Sequence, residues 1–506
     1  MIIAQELIIA KSEQLHRTVD ELVTIVTDAI QQQIPVHEVE KKAFETLLRA
    51  GLATVQLLVD CLGKGDVGEE YVLPDGRVVK RSEKPQPRPY LSIFGSVRME
   101  RYVYAEREGQ EIAFVELDAR LALPDSKFSY LLQDWDQSFV MEQPFDKAKQ
   151  TVEKMLGLRQ YVDSLERMNR EMSQDVDAFH SVQVPPPANE EGAIFVQTGD
   201  GKGVPIRRPA DAKPIESHRH KSGPKPDRKK MATVGAVYSI NPFVRTPEEV
   251  VESLFRNPED KRPKRDRPRP CHKHLRAMLT YVNAEGEEIN GRAGVFGWIA
   301  DEMSERHGQS QKPIVCIMDG EESLWEARDV FQEHVSMVDV LDLLHVTPRL
   351  WDAAAQFYKR DSAAAETFVR ERLLRILRGE VSAVVRGLRC MSTRHDLGGK
   401  KQADVKKICG YFEKNGHRMR YDEYLKHGYP IASGVIEGAC RHVVKDRLER
   451  TGMSWVRQGA QSMLQLRCLY LTDQWDAFMN FRVERETQRL YPYRETIQPL
   501  SWMIAA

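Results

Sequence analysis

Apolar residues in the first part of the chain follow a helical period. Within residues 38–61 they recur every three or four positions, which predicts an amphipathic helix that needs a partner to bury one face. Over residues 71–117 the pattern changes to short alternating segments, separated by Pro74-Asp75-Gly76 and by Gly109. Alternation bounded by turn residues is typical of strands, so we expect a small antiparallel β unit there.

A second helical region is predicted beyond residue 125. Residues 145–172 form two amphipathic segments joined around Gly157, an arrangement that resembles a helix-turn-helix. Two packed helices without a DNA-binding role have the same pattern, so the residues leave both interpretations open. The run Pro185-Pro186-Pro187 then predicts a rigid linker and a domain boundary.

The middle of the chain alternates predicted strands with acidic residues. We expect strands at 193–198, 231–240, 313–318 and 336–341, and a helix around 295–307. Asp200 follows the first strand between glycines, a pattern that also suits a tight hairpin. Asp319 and Asp342 follow the last two strands, where α/β folds place their active groups. The basic stretch 261–274 is expected on the surface.

The last third of the chain is predicted to be mostly helical. Strong helix formers dominate residues 346–419. A further helix is expected over residues 429–467, with Ser433 as its N-cap and Glu437 in its first turn.

Helical spacing places further residues relative to Glu437. Arg441 and Lys445 are expected on the same face as Glu437, and Val444 and Leu448 against a core. A carboxylate and two cations on one stripe suit a metal ion that binds a phosphate. A solvated face with intrahelical ion pairs has the same sequence, so this stretch alone does not decide between the two.

Composition bounds the class of protein. The 506 residues are enough for several domains, and their composition is that of a soluble globular protein. No apolar run approaches the roughly 18 residues that span a membrane, and residues 1–10 carry no basic leader, so we expect a cytoplasmic, nucleoid-associated protein. The seven cysteines never form a CxxC pair, which disfavours a disulfide framework and a cysteine zinc site.

Charge is unevenly distributed along the chain. Residues 201–230 hold ten Lys or Arg against three Asp or Glu, and residues 261–276 hold eight against one, so each segment carries +7. The total is −1, which leaves −15 on the remainder. Solvated linkers can carry such charge, but both segments flank the acids described above, as a site for a polyanion requires.

Three acids could perform metal-dependent chemistry together. Asp200, Asp319 and Glu437 could converge on two Mg²⁺ ions, which Mn²⁺ could replace, because hard cations prefer carboxylate and phosphate oxygens. With the ions about 4 Å apart, one activates the attacking water or 3′-hydroxyl and the other stabilises the leaving oxygen. That is phosphodiester chemistry. The chain has 75 acids, so spacing alone does not single out these three.

Four segments of the chain resemble a known family. They are GDGKGVPIR, MDGEESLW, VLDLLHVTPRLWDAA and YPIASGVIEGACRHVVKDRLERTGMSW. Together they are similar to the successive blocks of the DDE transposases of bacterial insertion sequences, within these to the Mutator-like group, and most closely to the ISKra-type family. The resemblance covers roughly residues 193–467, and its last block is the most specific.

The resemblance implies a fold and a set of site residues. The family has an RNase H-like core with a helical insertion before the glutamate, and its three metal-binding acids match Asp200, Asp319 and Glu437. This ranks Asp319 above Asp342, which the strand pattern left as an alternative second ligand. Asp342 and His345 match an Asp-x-x-His motif; a buried hydrogen bond that braces the site and a direct role on DNA both stay open for them.

The implied function is transposition. We expect a DDE transposase that binds terminal inverted repeats and target DNA, cuts and joins strands, and acts as a homodimer or larger homo-oligomer. The alternatives are a catalytically inactive, domesticated DNA-binding protein and an RNase H-like nuclease without strand transfer; the presence of all three acids favours catalysis. The candidate DNA contacts are Lys202, Arg207, Arg208, Lys229, Lys230, Arg265, Arg267, Arg441, Lys445 and Trp455, the last of which could instead be a core aromatic.

The predicted organisation is an α/β RNase H-like catalytic core with a helical insertion, preceded by helical and small β DNA-binding regions. In chain order, the regions are a helical segment at 1–65 that could mediate oligomerisation, a β unit at 66–125, a helix-turn-helix-like region and linker at 126–190, the first part of the core at 191–345, the insertion at 346–428, the final core helix at 429–475, and a C-terminal tail at 476–506.

Overall fold

A computed structural model describes residues 8–107, 109–207, 229–257, 265–282, 286–308, 310–450 and 452–497. The chain divides into two compact units, Met1–Asp175 with Asp476–Ala506, and Val176–Trp475. The C-terminal segment therefore belongs to the same unit as the N-terminal region. Among the described residues, no helix has the length and apolar character needed to cross a membrane.

The first unit combines helices with a set of short strands. Its helices are Glu13–Gln32, Val36–Leu62, Glu116–Arg120, Tyr130–Glu142, Phe145–Leu156, Val162–Ser173 and the C-terminal Trp475–Leu490, with a 3₁₀ turn at Arg494–Thr496. Its strands are Glu70–Val72, Val78–Arg81, Gln86–Pro87, Tyr90–Ser92, Gly95–Val97, Glu100–Arg101 and Tyr104–Ala105. The pairings between these strands are antiparallel, which confirms the expected antiparallel β segment.

The two helices expected on either side of Gly157 are confirmed. They are Phe145–Leu156 and Val162–Ser173, and Gly157 adopts a left-handed φ of 69° at the end of the first. The preceding helix, Tyr130–Glu142, packs on them through buried amides: Gln137 Nε2 donates to Leu165 O at 3.1 Å, and Asn169 Nδ2 donates to Gln137 Oε1 at 2.9 Å. The result is a three-helix bundle, whose role in DNA binding stays a prediction.

The second unit is built on a five-stranded mixed sheet. Its strands are β1 (Ile194–Pro205), β2 (Lys229–Ile240), β3 (Cys271–Leu279), β4 (Ile314–Met318) and β5 (Val338–Leu341), in the order β3-β2-β1-β4-β5. The first three strands pair antiparallel, whereas β4 is parallel to both β1 and β5. A mixed sheet with this order is compatible with an RNase H-like core.

Helices cover both faces of this sheet. They are Val176–His180, Pro247–Leu254, Gly291–His307, Glu322–Gln332, Leu343–Phe357, Ala363–Leu377, Val381–Arg394, Gly399–Lys414, Tyr421–Lys426, Gly434–Ala439, Asp446–Leu448 and Arg457–Tyr470. A two-stranded ribbon (Tyr281–Val282 with Glu288–Ile289), a 3₁₀ turn (Gly416–Arg418) and a π-helical turn (Cys440–Lys445) complete the unit.

Alternate residues of the central strands face two different cores. Val315 and Ile317 of β4 pack with the helices that follow β5, whereas Cys316 and Met318 pack with the Gly291–His307 helix. Successive side chains of a strand point to opposite faces, so a strand buried on both faces reads as a continuous apolar run. This explains the segment PIVCIM and confirms the predicted buried strand.

Local structure differs from the simplest interpretation of the sequence at three places. The tight hairpin that Gly199-Asp200-Gly201 also suited is not formed, because β1 continues through it to Pro205 and pairs with β2 along its whole length. Residues 265–274 of the basic stretch are exposed or half-buried, as expected, and the last of them start β3, where a β-bulge lies between Cys271 and His274. The helix expected over 429–467 is divided by a non-helical segment between Leu448 and Arg457.

Candidate active site

Asp200 and Asp319 lie side by side at one edge of the sheet. Strands β1 and β4 are parallel, and Gly199 is paired with Met318. The residue that follows each of these is the aspartate, so the two carboxylates extend from neighbouring strands at the same level. The strand pairing of the tertiary fold, and not any local feature, brings these two predicted residues together.

The Asp200 carboxylate has two neighbours from the described chain. Its Oδ1 accepts a hydrogen bond from Gly201 N at 2.6 Å, and its Oδ2 lies 3.5 Å from the Cys440 Sγ, which donates to it. Cys440 is buried, and burial followed by the charge of Asp200 raises the pKa of its thiol, so the thiol stays protonated and able to donate. The sequence pattern indicated no role for Cys440 beyond packing, and its position one helical turn after Glu437 is the only signal that could have suggested one.

The Asp319 carboxylate is held at the start of the loop that follows β4. Its Oδ1 accepts from Glu321 N at 2.9 Å, and its backbone carbonyl accepts from Trp325 Nε1 at 2.7 Å. Gly320 is required next to it, because an added Cβ would lie 2.3 Å from the Tyr411 ring. The Asp-Gly pair in the sequence therefore lets the Gly399–Lys414 helix, which carries Tyr411, pack directly against the residue after Asp319.

Glu437 approaches the same edge from the Gly434–Ala439 helix, and its side chain is exposed. Burial raises the pKa of Asp319, and the negative charge of Asp200 raises it further. The pKa of Glu437 is also raised, by desolvation first and then by Asp342 and Asp200, while His345 opposes the shift. The charge of Asp200 therefore acts on both of the other predicted acids, which places all three in one neighbourhood.

Asp342 connects the end of β5 to the start of the glutamate helix. Asp342 is 1% exposed; its Oδ1 accepts from Leu344 N at 2.9 Å and its Oδ2 from the Ser433 hydroxyl at 2.6 Å. Ser433 was expected to cap the helix of Glu437, but its side chain makes no capping hydrogen bond and donates to Asp342 instead. The neighbouring Leu343 N also donates to Ile431 O at 3.0 Å, so the two segments are joined at two points.

The helix that carries Glu437 changes its period after one and a half turns. Residues Cys440–Lys445 form a π-helical turn, in which hydrogen bonds span five residues instead of four. The expectation that Arg441 and Lys445 continue the face of Glu437 assumed a regular α-helix, and with this change of period their position relative to Glu437 stays a prediction. Both side chains are exposed, and Arg441 Nε lies 3.7 Å from Asp446. Val444 and Leu448 are fully buried, as expected.

The other predicted DNA contacts are distributed over several segments. Arg207 Nε donates to Ser454 O at 3.0 Å, and Lys229 Nζ lies 2.7 Å from Glu449. Arg208 lies outside the described residues. Lys202 and Lys230 are half-buried, whereas Arg265 and Arg267 are exposed. Solvent-exposed ion pairs contribute little stability, so such cations can exchange a carboxylate for a phosphate.

Trp455 is anchored on one edge. Its Nε1 donates to Leu448 O at 3.1 Å, and its backbone is bridged to Ile206 beyond the end of β1. The Arg447 guanidinium lies 5.0 Å from the ring centroid. The ring is half-buried, which leaves both the core interpretation and stacking on a base as predictions.

The donor set suits a hard divalent cation, but it is not closed around one. The three carboxylates provide the oxygen ligands that Mg²⁺ prefers, and burial raises the pKa of Asp319 and of Glu437. In the part of the chain that the structure describes, no three Asp, Glu, His or Cys side chains lie within binding distance of a common point. A bound cation would therefore have to draw the carboxylates together.

Comparisons with known proteins add only weak structural similarity. No protein-family model matches the chain, and no curated protein matches it. Among solved structures, a chain of the Drosophila P element transposase strand transfer complex is similar at 10% identity and a TM-score of 0.21, over 75% of this chain and 83% of that chain. A TM-score this low leaves most of the two backbones unmatched, so the site is interpreted from its own residues.

Proposed function

We propose that the chain is an insertion-sequence transposase of the DDE type, with an RNase H-like core that cuts and joins DNA strands. The observation that supports the proposal is that Asp200 and Asp319 lie side by side on neighbouring strands and that the charge of Asp200 raises the pKa of both Asp319 and Glu437, after burial. Acids that repel each other without a neutralising partner lower stability, and such arrangements mark functional sites.

In this proposal, Asp200, Asp319 and Glu437 hold two Mg²⁺ ions. When bound, such ions polarise the scissile phosphate and activate water or a 3′-hydroxyl. The Cys440 thiol orients the Asp200 carboxylate through its hydrogen bond, and the Ser433–Asp342 hydrogen bond fixes the start of the helix that carries Glu437. Lys202, Arg441 and Lys445 contact phosphates beside the scissile bond.

DNA is the proposed partner, both as terminal inverted repeats and as target. The basic residues on the second unit supply phosphate contacts, and the three-helix bundle of the first unit is the candidate for sequence recognition. The solvent face of its last helix pairs Arg167 with Glu171 and Arg170 with Glu166, at 3.8 and 3.9 Å. These arginines must leave their partners to contact DNA, so recognition there is expected to be salt-sensitive.

Self-association is proposed through the N-terminal helical hairpin. On the Glu13–Gln32 helix, Val19, Val23, Val26 and Ile30 are exposed by 46, 66, 54 and 76%. Their spacing of four, three and four residues is that of a coiled-coil seam, which a second copy of the same helix can bury. Two DNA ends must be held together in strand transfer, and a symmetric dimer provides two equivalent sites.

The test is strand cleavage and strand transfer on the element's own end DNA with Mg²⁺. Wild type is expected to cut and join, whereas Glu437→Gln, which removes charge with little change of volume, should bind DNA but do neither. Glu413→Gln is the matched control, because Glu413 is an exposed glutamate paired with Arg389 on another helix. Cleavage by Glu437→Gln at the wild-type rate would contradict the proposal, and cleavage without joining by wild type would identify a nuclease instead.

A further inference from the structure

A cavity in the second unit has the chemistry of an anion site. Its volume is about 140 Å³, and it lies between the loop that follows β2 and the segment Gly428–Ala432. Phe243, Arg245, Arg267 and Tyr429 contribute to its wall, and among the described residues that line it there is no carboxylate. The space is several times what one water needs, and its charged side chains are all cationic.

The loop that carries Phe243 and Arg245 is fixed in place by its backbone. Phe243 N donates to Gly428 O at 2.9 Å, and Arg245 N donates to Leu425 O at 3.4 Å. Gly428 has a left-handed φ of 71°, and an added Cβ would lie 2.7 Å from Phe243 N. The two segments approach this closely only because residue 428 is glycine, so the cavity is a built feature of the fold.

Cations gather around the Phe243 ring. The guanidinium carbons of Arg245 and Arg265 lie 5.3 and 4.7 Å from the ring centroid. A cation over an aromatic face is held in orientation without losing its hydrogen-bond donors to another acceptor. Arg265 also donates to Val244 O at 3.1 Å and lies 3.6 Å from the Glu249 carboxylate, and Arg267 donates to Ser253 Oγ at 2.8 Å. A guanidinium has five N–H groups, so each of the two keeps further donors available.

Among these arginines, Arg245 is the one whose buried charge and hydrogen-bond donors are least satisfied. Its Nε is buried and, among the described residues, has no hydrogen-bond partner. Burial, followed by repulsion from Arg267, lowers the pKa of Arg245 to about 10, with Glu249 opposing. The side chain is still charged at neutral pH, so the site buries a cation next to like charges with a donor unused. A bound anion would satisfy both.

We propose that this cavity binds a phosphate group, with Arg245 as its central ligand and Arg267 as its second. A guanidinium presents paired N–H groups that match two phosphate oxygens. Because no carboxylate lines the cavity wall, these N–H groups stay available for a phosphate. The phosphate could belong to a DNA backbone or to a free nucleotide. The DNA source rests on the proposed function and would place a duplex contact near the start of the segment that leads to Glu437.

The test compares Arg245→Gln with Arg394→Gln, an equal loss of charge at an exposed arginine at the end of the Val381–Arg394 helix. The probes are a short mixed-sequence duplex, followed by fluorescence anisotropy at several salt concentrations, and ATP and inorganic phosphate, followed by calorimetry. Thermal unfolding verifies that each variant is folded. Phe243→Leu, which keeps an apolar side chain but removes the aromatic face, tests the orienting role of the ring.

If the phosphate belongs to DNA, Arg245→Gln should weaken duplex binding about tenfold and reduce the salt slope by about one, while Arg394→Gln changes neither by as much. If it belongs to a nucleotide, ATP should bind wild type and fail to bind Arg245→Gln. Phe243→Leu should lie between wild type and Arg245→Gln. The proposal is overturned if Arg245→Gln and Arg394→Gln behave alike with every probe, or if wild type binds none of them.

These outcomes are separate from those of the cleavage assay. A chain that binds phosphate through Arg245 but does not cut DNA would refute only the transposase proposal. A chain that cuts and joins DNA while Arg245→Gln matches Arg394→Gln would refute only the phosphate site.

Discussion

Replacing Asp136 by asparagine should stabilise the three-helix bundle of the first unit at neutral and alkaline pH. Asp136 is 1% exposed, and burial raises the pKa of its carboxyl from 3.8 to about 7. Its Oδ1 accepts from Gln160 Nε2 at 2.8 Å, but its Oδ2 and the Gln160 Oε1 are both buried and find no hydrogen-bond partner among the residues that the structure describes. An asparagine amide could donate where the carboxylate cannot.

The magnitude follows from linkage. Because the native carboxyl has the higher pKa, the native state binds the proton more tightly than the unfolded state does, and stability falls as pH rises from about 4 to about 7. A difference of about three pKa units corresponds to roughly 4 kcal/mol, so a gain of about 2–4 kcal/mol is expected above pH 7 and little gain at pH 4. For a unit of this size that amounts to a rise of roughly 4–16 °C in the unfolding midpoint.

The assay is thermal unfolding of wild type and Asp136→Asn from pH 4 to pH 8. Asp134→Asn is the matched control, because Asp134 lies in the same helix but is only half-buried. The midpoint of Asp136→Asn should diverge from wild type as pH rises, and that of the control should not. An equal effect of the two substitutions, or an Asp136→Asn effect that does not change with pH, would show that this carboxyl is not held in a desolvated site.

Three further predictions concern the candidate site and the proposed dimer. Ser433→Ala removes a donor to the buried Asp342 carboxylate and should lower the free energy of unfolding by about 2 kcal/mol. Ser362→Ala, which removes an ordinary helix N-cap, should lower it by about 1 kcal/mol. Equal losses of stability would mean that the contact with Asp342 is unimportant. Asp319→Asn should raise the unfolding midpoint at pH 7 without Mg²⁺, because the raised pKa of Asp319 makes its charge destabilising there. The same substitution should abolish any stabilisation of wild type by Mg²⁺. Stabilisation by Mg²⁺ that survives in the variant would place the cation elsewhere. Val23→Glu places a charge in the exposed apolar seam, so light scattering should find this variant monomeric where wild type is a dimer. Thr24→Glu, on the polar side of the same helix, should remain a dimer. Dimers in both variants would exclude this seam as the interface.

Local patterns in the sequence determined those helices and strands whose apolar residues form a clear run or a clear period. The apolar run before Asp319 predicts a buried strand, and the helical period around Gly157 predicts two helices; both are present. These predictions succeed because side-chain period and turn residues act over a few positions, and no distant contact is needed to fix them. The candidate acids were also found this way, although their choice among many acids came from a family resemblance that the comparisons with known proteins do not test.

Only the tertiary structure decided how those elements meet. The third strand, Cys271–Leu279, was hidden because its first residues are polar and it is stabilised by pairing with β2. Ser433 has the sequence of a helix cap but donates to Asp342, a residue 91 positions away that folding brings within reach. The role of Cys440 has only its position one helical turn after Glu437 as a sequence signal, because it depends on where folding places Asp200. The role of Arg245 has no such signal, because it depends on a close approach at Gly428. Such contacts join segments distant in the chain, and no local period encodes them.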